Sequence, residues 1–267
     1  MKIFALIILL LLIFYFSAYK ARPAKDKNGQ HINPPKHGYS NEKGRLIIGT
    51  YNVQSGKDNN GKRDIRRSAD VIKAADIVGI QEVYAKTWLG SKNQAQALAE
   101  HSGFGWLFAA TRKRWFREHR GNAFLSRLPV SKWSIEMLPD ATGKQYRNLV
   151  TAITNFHGQE VAVLVTHLHT KKGREEQLAF VLEKFKSYDR AILMGDMNTP
   201  SDNAMIQALL QDSHYTDAIS TAAIEDPSHQ RIDWILTKGF TIEAGQFEPI
   251  GVSDHPYYQV ELSLDAQ

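Results

Sequence analysis

Residues that can bind a cation or a phosphate recur in this sequence directly after short apolar runs. Metal-assisted phosphoester hydrolysis needs such groups as oxygen ligands for a hard cation, as a proton acceptor for the attacking water and as donors to the phosphoryl oxygens. Six separate segments present a carboxylate, a carboxamide or an imidazole: Asn52, Glu82, His167, Asp196 with Asn198, Asp233, and Asp254 with His255.

Each residue type suggests a part in this chemistry. Glu82 and Asn52 can hold the cation, and Asp196 can orient or deprotonate the water. Asn198 and His167 can donate to the phosphate. A carboxylate behind a histidine fixes the tautomer of the imidazole and raises its basicity, so one further pair is expected to act together. That pair is Asp233 and His255.

Two residues, His169 and Asp233, allow more than one interpretation. His169 follows His167 by two residues and can bind phosphate or simply face solvent. Asp233 can pair with Arg231 instead of with His255. The neighbouring histidines also allow a two-zinc phosphoesterase. The sequence lacks the calcineurin-like signatures that would support zinc, an Asp-x-His near the first strand and a later Gly-Asn-His-Asp.

Short β-rich runs and helical patterns must position these residues. Strands are predicted where Ile, Val, Leu and Phe are concentrated, and helices where apolar residues recur at helical spacing. The strands are 46–53, 77–80, 123–126, 149–155, 161–168, 191–194, 232–236 and 257–262. The helices are 63–75, 93–101, 174–186 and 202–211.

Two of the predicted strands, 149–155 and 161–168, are joined by the short turn 156–159, which predicts an antiparallel hairpin. Such a hairpin does not fit a purely parallel, doubly wound sheet. We therefore expect an α/β protein with two packed sheets and outer helices. The composition, 43% apolar and 23% charged, fits one catalytic domain over residues 44–267.

The first 43 residues differ from the rest of the chain. An unbroken apolar run at 3–16 precedes a basic cluster, which predicts a signal anchor or signal peptide over residues 1–20. Large residues where a signal peptidase needs small ones favour an uncleaved membrane anchor. The basic cluster after the run favours a cytoplasmic flank, whereas the single lysine before it resembles an export signal, so both orientations stay open and the exported side is preferred. Residues 21–43 are rich in Pro, Gly, Asn and Lys, which predicts a flexible basic linker.

Charge and cysteine content exclude some classes of site. The net charge of +5 lies within the first 43 residues, so bulk charge says little about a substrate. The absence of cysteine excludes disulfides, thiolate zinc sites and cysteine nucleophiles. The segment 111–120 interleaves five basic residues with two aromatics. This pattern is typical of surfaces that bind nucleic-acid backbones or anionic lipid headgroups, and also of a solvated loop.

Seven short runs resemble, in order, the successive motifs of the endonuclease/exonuclease/phosphatase superfamily. This group includes DNase I, exonuclease III-type repair nucleases, neutral sphingomyelinases and inositol polyphosphate 5-phosphatases. One run alone is a weak signal, but all seven occur in the family's order over nearly the whole domain. They are Gly49-Thr50-Tyr51-Asn52, Ile80-Gln81-Glu82-Val83, Gly121-Asn122-Ala123-Phe124-Leu125-Ser126-Arg127, Val165-Thr166-His167-Leu168, Gly195-Asp196-Met197-Asn198, Arg231-Ile232-Asp233-Trp234 and Ser253-Asp254-His255-Pro256.

The resemblance implies a four-layer α/β/β/α sandwich of the DNase I type, a divalent cation (Mg²⁺ or Mn²⁺) and attack by water on phosphorus. It implies that Glu82 is the principal metal ligand, with Asn52 beside it and Asp254 in support. Arg147 is similar to an arginine that members place against the phosphate, and His169 is a second phosphate-binding candidate. The implied catalytic residues are Asp196, His255, His167, Asn198 and Asp233.

The sequence therefore predicts a monomeric, metal-dependent phosphodiesterase that acts on nucleic acid as an endonuclease. The apolar N-terminus favours an alternative, a membrane-associated lipid phosphodiesterase or phosphatase. A second alternative is a non-catalytic phosphate-binding module, although such a protein would be expected to have lost a metal-binding or water-handling residue. The motifs do not separate the substrates, because members of one fold change substrate through their loops.

Overall fold

In the described part of the chain, two seven-stranded sheets pack face to face, and helices cover the outer side of each sheet. This computed structural model describes residues 2–35, 44–85, 93–114, 118–140, 143, 146–225 and 231–265. The predicted four-layer α/β/β/α sandwich is confirmed, because every layer of it is present in the described part of the chain.

In the first sheet, two parallel strands lie among antiparallel neighbours. The parallel pair is β3 (Leu46–Asn52) and β4 (Ile77–Ala85), so both strands end at the same edge of the sheet. A short crossover helix, α2 (Ile65–Ile72), connects them. The full strand order is β1 (Arg22–Pro23), β5 (Gly105–Lys113), β6 (His119–Ser126), β4, β3, β14 (Tyr257–Leu264) and β13 (Phe240–Glu248).

The second sheet repeats this arrangement. Its parallel strands are β9 (Gln159–His167) and β10 (Ala191–Asp196), which are connected through α4 (Arg174–Lys186). The predicted hairpin is confirmed, because Phe156 pairs with Gln159 at its tip. The strand order is β11 (Tyr215–Asp217), β12 (Asp233–Lys238), β10, β9, β8 (Asn148–Phe156), β7 (Val130–Met137) and β2 (Lys27–Gly29).

The main core lies between the two sheets, where alternate residues of each strand point inward. Outside the first sheet, α2 and α3 (Gln94–Ser102) pack their apolar faces on the strands. Outside the second sheet, α4 and α5 (Ala204–Leu210) do the same, and the short α6 (Ala218–Thr221) packs at the edge of the main core. Burial on both faces explains why the central strands are continuous apolar runs.

Several strands were not predicted, mainly those at the sheet edges. β13 has only one buried residue, Phe240, and polar residues interrupt the rest of its sequence, so it forms no continuous apolar run. β7 and β5 mix charged, aromatic and small residues because each presents one face to other elements or to solvent. The predicted helix 63–75 is shorter in the structure, where α2 begins after Asp64, whose side chain accepts from Arg66 N–H.

The prediction of a flexible linker over residues 21–43 is wrong for residues 22–35, which we call the N-terminal strap. β1 of the strap extends the first sheet beside β5, and β2 extends the second sheet beside β7. Side-chain bonds add to this pairing, since Trp133 Nε1 donates to the His31 carbonyl at 2.8 Å. The unpaired edges of β5 and β7 explain why a polar segment becomes ordered. The remainder of the predicted linker, 36–43, lies outside the described residues.

Before the strap, α1 (Lys2–Tyr19) forms the predicted N-terminal helix. Its large apolar side chains from Ile3 to Phe16 are exposed. Within the described part of the chain, no helix combines the length and the apolarity needed to cross a membrane.

Gly195 allows β9 and β10 to approach each other closely, and its replacement tests this packing. Its φ is +143°, and a Cβ there would lie 2.0 Å from the Thr166 carbonyl oxygen. Gly195→Ala must separate two paired strands, so we expect the free energy of unfolding to fall by about 2–4 kcal/mol. Urea denaturation measures this change. Gly251→Ala is the control, because its Cβ would meet nothing within 4 Å. Equal stability of both variants would contradict the packing argument.

Candidate active site

The side chain of Asn52, at the end of β3, connects the two sheets at one edge of the sandwich. Its Nδ2 donates to Oδ2 of Asp196, the last residue of β10, at 3.0 Å. The same nitrogen lies 3.5 Å from Oε1 of Glu82. Asn52 Oδ1 accepts from Gln54 N–H at 3.1 Å, which fixes the orientation of the amide. One buried amide therefore holds two carboxylates on either side of it.

A β-bulge turns Glu82 toward this edge. The register between β4 and β6 shifts between Ile80 and Val83, so the bulge contains Glu82. Its φ is +58°, a left-handed conformation that is uncommon for residues other than glycine. Backbone strain of this kind is concentrated at functional sites, where the surrounding fold maintains it.

His255 lies between two carboxylates, with a hydrogen bond to Asp233 and a longer ion-pair contact with Asp196. His255 Nδ1 lies 2.8 Å from Asp233 Oδ2, and its Nε2 lies 3.7 Å from Asp196 Oδ2. Both carboxylates are buried, with 2% of each residue exposed. The alternative pairing of Asp233 with Arg231 is not observed, because Arg231 pairs with Asp217.

The charges in this group shift two pKa values. Burial lowers the pKa of His255, but the hydrogen bond to Asp233 and the nearby carboxylates outweigh it and raise the pKa to about 9. Burial raises the pKa of Asp196 to about 7, and the charge of Asp233 adds to this effect. Near neutral pH the imidazole is therefore charged, and the Asp196 carboxylate can take up a proton. These are the properties of an acid and base pair.

His167 lies between Asp196 and Arg147. Its Nε2 is 3.3 Å from Asp196 Oδ2, and its Nδ1 is 3.4 Å from Arg147 Nη1. Burial and the charge of Arg147 hold the pKa of His167 well below its usual value, so the ring is neutral. Because the guanidinium only donates, Nδ1 accepts and Nε2–H points to Asp196. His167 therefore positions Asp196, and both of its ring nitrogens are engaged within the protein.

A pocket of about 320 Å³ opens beside this group, with Glu82 and His167 in its wall. Its described lining carries three guanidinium groups and one carboxylate, so with a neutral His167 its net charge is +2. Such a pocket favours an anionic ligand. The lining residues are Glu82, Thr111, Arg112, Arg120, Gly121, Asn122, Tyr146, Arg147 and His167.

A family model for the Endonuclease/Exonuclease/phosphatase family matches residues 49–255, which include the whole cluster around Asp196. The chain belongs to this family. Members are generally phosphoester hydrolases, and they typically use a divalent metal. No curated relative matches the sequence.

Solved structures agree with the family assignment at the level of the fold. An endonuclease/exonuclease/phosphatase from Beutenbergia cavernae is 23% identical over 84% of this chain and 72% of its own, with a TM-score of 0.69. TDP2 from D. rerio, complexed with single-strand DNA product, is 18% identical over 82% and 99% of the two chains (TM-score 0.63). The human Nocturnin catalytic domain with a bound sulfate anion is 15% identical over 91% and 99% (TM-score 0.63).

Most of the residues predicted from the family motifs meet in this cluster. Asn198 joins it through its backbone, since its N–H donates to Asp196 Oδ1 at 3.0 Å and its φ is +48°. Its side-chain Nδ2 donates to the Leu168 carbonyl, which leaves one N–H of the amide for a ligand. Arg147 joins the cluster through His167. The residues linked by direct contacts are Asn52, Glu82, Arg147, His167, Asp196, Asn198, Asp233 and His255.

Two predicted residues lie outside these contacts. Asp254 is exposed and accepts from Gln54 Nε2, so it touches neither Glu82 nor Asn52 within the described chain. His169 is buried, and its Nδ1 accepts from Lys171 N–H at 2.9 Å. Its Nε2 has no hydrogen-bond partner among the described residues. The alternative that His169 faces solvent is therefore wrong.

Two sets of residues could hold a divalent cation. Asp196, Asp233 and His255 each place one donor atom within 4.8 Å of the others. In this set Nδ1 of His255 is already engaged by Asp233 at 2.8 Å, so the ring can offer only Nε2. Glu82 offers carboxylate oxygens beside Asp196, and hard cations prefer oxygen. The predicted ligand Asn52 presents its amide nitrogen to both carboxylates, while its Oδ1 accepts from Gln54 N–H. The donors around Glu82 therefore fit the cation better.

Sequence analysis missed residues that hold these groups in place. Gln54, two residues after Asn52, contacts both Asn52 and Asp254. Ser253 Oγ donates to the Asn52 carbonyl at 2.7 Å and so connects the Ser253-Asp254-His255 run to the end of β3. The position of Ser253 within a recognised motif was a usable signal. Gln54 gave no signal beyond its closeness to Asn52.

Asp233→Asn tests the electrostatic account of His255. Asparagine keeps the shape but loses the negative charge, so burial should dominate and the pKa of His255 should fall from about 9 toward or below its ordinary value of about 6.5. An NMR titration of the imidazole in metal-free protein measures this value. The exposed Asp202→Asn serves as the control and should leave the titration unchanged. An unchanged titration in Asp233→Asn would show that Asp233 does not set the charge of His255.

Proposed function

We propose that this protein is a divalent-metal-dependent phosphodiesterase that hydrolyses nucleic acid. One observation carries the proposal: a buried carboxyl with a pKa of about 7, Asp196, lies beside a charged imidazole and next to an arginine-lined pocket. A proton acceptor, a proton donor and an anion-binding wall are the parts that phosphodiester hydrolysis requires. Family membership supports the reaction class.

The side chains suggest a division of labour. A cation held by the Glu82 carboxylate, beside the Asn52 amide, would neutralise charge on the phosphoryl oxygens. Asp196 takes a proton from water as the water oxygen bonds to phosphorus. The ester P–O bond then breaks, and His255 Nε2 gives its proton to the leaving oxygen. Arg147, whose Nε is buried without a partner among the described residues, is in place to donate to the phosphate.

Nucleic acid is the preferred substrate because arginine groups dominate the pocket wall, and arginine binds phosphate oxygens in a bidentate manner. A second candidate is a membrane lipid with a phosphodiester headgroup. The exposed apolar side chains of α1 favour it, because they could keep the domain at a lipid surface.

We also propose that residues 1–20 attach the protein to a membrane or direct its export. This proposal can be tested by cell fractionation of the full chain and of a chain that begins at Ala21, which keeps the N-terminal strap. Recovery of both in the same fraction would contradict a targeting role for the first residues.

Two substitutions at the site should separate proton transfer from cation binding. Asp196→Asn removes the proton acceptor, so we expect kcat to fall by about 10²- to 10⁴-fold. Glu82→Gln should instead raise the Mg²⁺ concentration needed for half-maximal activity. Asp202→Asn is a matched loss of an exposed carboxylate. Steady-state kinetics at varied Mg²⁺ measure both effects, and full activity of Asp196→Asn would contradict the assignment.

A substrate panel tests the substrate class. Supercoiled plasmid, single-stranded DNA, sphingomyelin and phosphoinositides are incubated with the full chain in Mg²⁺ and in EDTA. We expect turnover of nucleic acid in Mg²⁺ and none in EDTA. Turnover of lipid alone would replace nucleic acid with the second candidate. Turnover of no substrate, with phosphate binding retained, would indicate a non-catalytic module.

A further inference from the structure

Two arginines face each other across adjacent strands in the wall of the pocket. Arg112 on β5 and Arg120 on β6 are direct register partners. Cross-strand partners point to the same face of a sheet with their Cβ atoms about 5 Å apart. Burial lowers the pKa of Arg112, and the charge of Arg120 lowers it further. The two guanidinium groups therefore act on each other electrostatically.

Within the described residues, neither Arg112 nor Arg120 forms a hydrogen bond or salt bridge to a carboxylate. The nearest acidic influence on Arg112 is the charge of Glu82, which acts less strongly than the three surrounding arginines. Like charges directly opposite each other destabilise a sheet. Arg112 is half-buried and Arg120 is exposed, so both guanidinium groups line the pocket where a ligand can reach them.

Two β-bulges turn the side chains of Glu82 and Arg112 toward the same pocket. β6 has β4 on one side and β5 on the other. In β4 the register shifts around Glu82, opposite Asn122 of β6. In β5 it shifts at Thr111, between the partners of Gly121 and Arg120. Bulges re-aim side chains beside functional sites. Together they place the carboxylate of Glu82 and the guanidinium of Arg112 in the same pocket.

The N-terminal strap fixes the position of Arg112 from its other side. Pro23 of β1 is the register partner of Arg112. The backbone of Arg112 is thus held between β1 and β6, so the pair is part of a rigid sheet and not of a mobile loop.

The charges of the pocket exceed those of one phosphodiester. Its described wall carries +2, and a bound divalent cation beside Glu82 would add two further positive charges. A phosphodiester contributes one negative charge, whereas a phosphomonoester contributes about −1.5 to −2 at neutral pH. Arg147 Nη1 lies 3.4 Å from Nδ1 of His167, whose Nε2 contacts Asp196, so Arg147 is placed for the scissile phosphate. Arg112 and Arg120 remain for a second anion.

We propose that Arg112 and Arg120 form a subsite for a terminal phosphomonoester next to the scissile phosphodiester. This inference rests on the proposed function and narrows it to strands that end in a phosphate. The pocket selects the phosphate through two forked guanidinium groups, which can each form bidentate hydrogen bonds to its oxygens.

The test compares oligonucleotides of one sequence that carry a 5′-phosphate, a 3′-phosphate or hydroxyl groups at both ends. In the wild-type protein, we expect kcat/KM to be at least about tenfold higher for one of the phosphorylated strands. In the double variant Arg112→Gln/Arg120→Gln, this ratio should fall close to one. Arg45→Gln is the matched control, because it removes one exposed arginine at the opposite end of β3. It should keep the wild-type ratio.

A binding measurement without catalysis keeps the proposal testable if turnover is weak. In low salt, Arg112→Gln and Arg120→Gln should each unfold at the same temperature as the wild type or higher, because repulsion is relieved. Inorganic phosphate should raise the Tm of the wild type and of Arg45→Gln, and should raise it less in the two pocket variants.

The outcomes separate the subsite from the proposed function. If the double variant lowers turnover of all three strands equally, the two arginines bind the nucleic-acid backbone without regard to a terminal phosphate. That result would overturn the subsite and leave the nuclease function intact. Vesicles of phosphatidylinositol, with and without ring phosphates, form a second arm. An Arg112-dependent preference for phosphorylated lipid, with no turnover of any oligonucleotide, would support the subsite and overturn the nucleic-acid substrate. Equal phosphate shifts of Tm in all variants would also overturn the subsite.

Discussion

The hydrogen bond from the Asn52 amide to Asp196 is the constraint on which the rest of the site depends. It joins the end of β3 in one sheet to the end of β10 in the other, at 3.0 Å. Two buried or half-buried carboxylates can lie this close only if a donor or a cation stands between them. Here the donor is the side-chain amide of Asn52. Gln54 N–H donates to its side-chain oxygen and Ser253 Oγ donates to its main-chain oxygen, so the residue is held in place.

At the same edge of the sandwich, several groups lie in electrostatically unfavourable surroundings. Burial holds the pKa of Asp196 near 7, and a neutral His167 lies between a carboxylate and a guanidinium. Arg112 lies opposite Arg120 without an acidic partner among the described residues. The apolar layers between the sheets and under the helices maintain these groups in place. Such a separation, with stability in the layers and strain at one edge, is what phosphoester chemistry requires of a rigid scaffold.

The sequence predicted the features that local pattern encodes. The central strands are buried on both faces, so β3, β9 and β10 appear as apolar runs followed by polar ends, and the hairpin at 156–159 was readable from its turn. The edge strands β7 and β13, the strap and both bulges depend on pairing between distant segments, which a single sequence does not display. For the same reason His167 was expected to donate to phosphate, whereas its contacts with Arg147 and Asp196 make it a positioning residue. The basic pattern of 111–120 also fitted a solvated loop, whereas in the structure Arg112 and Arg120 are register partners on β5 and β6.

The central claim is that oxygen groups at the strand ends hold a cation at Glu82, while Asp196, His255 and Asp233 remain free to move protons. Anomalous diffraction from crystals soaked in Mn²⁺ tests it most directly, because Mn²⁺ can replace Mg²⁺ and its position is seen without ambiguity. The account predicts a peak at ligand distance, about 2.1 Å, from the Glu82 carboxylate. A peak centred between Asp196, Asp233 and His255, with none at Glu82, would contradict it.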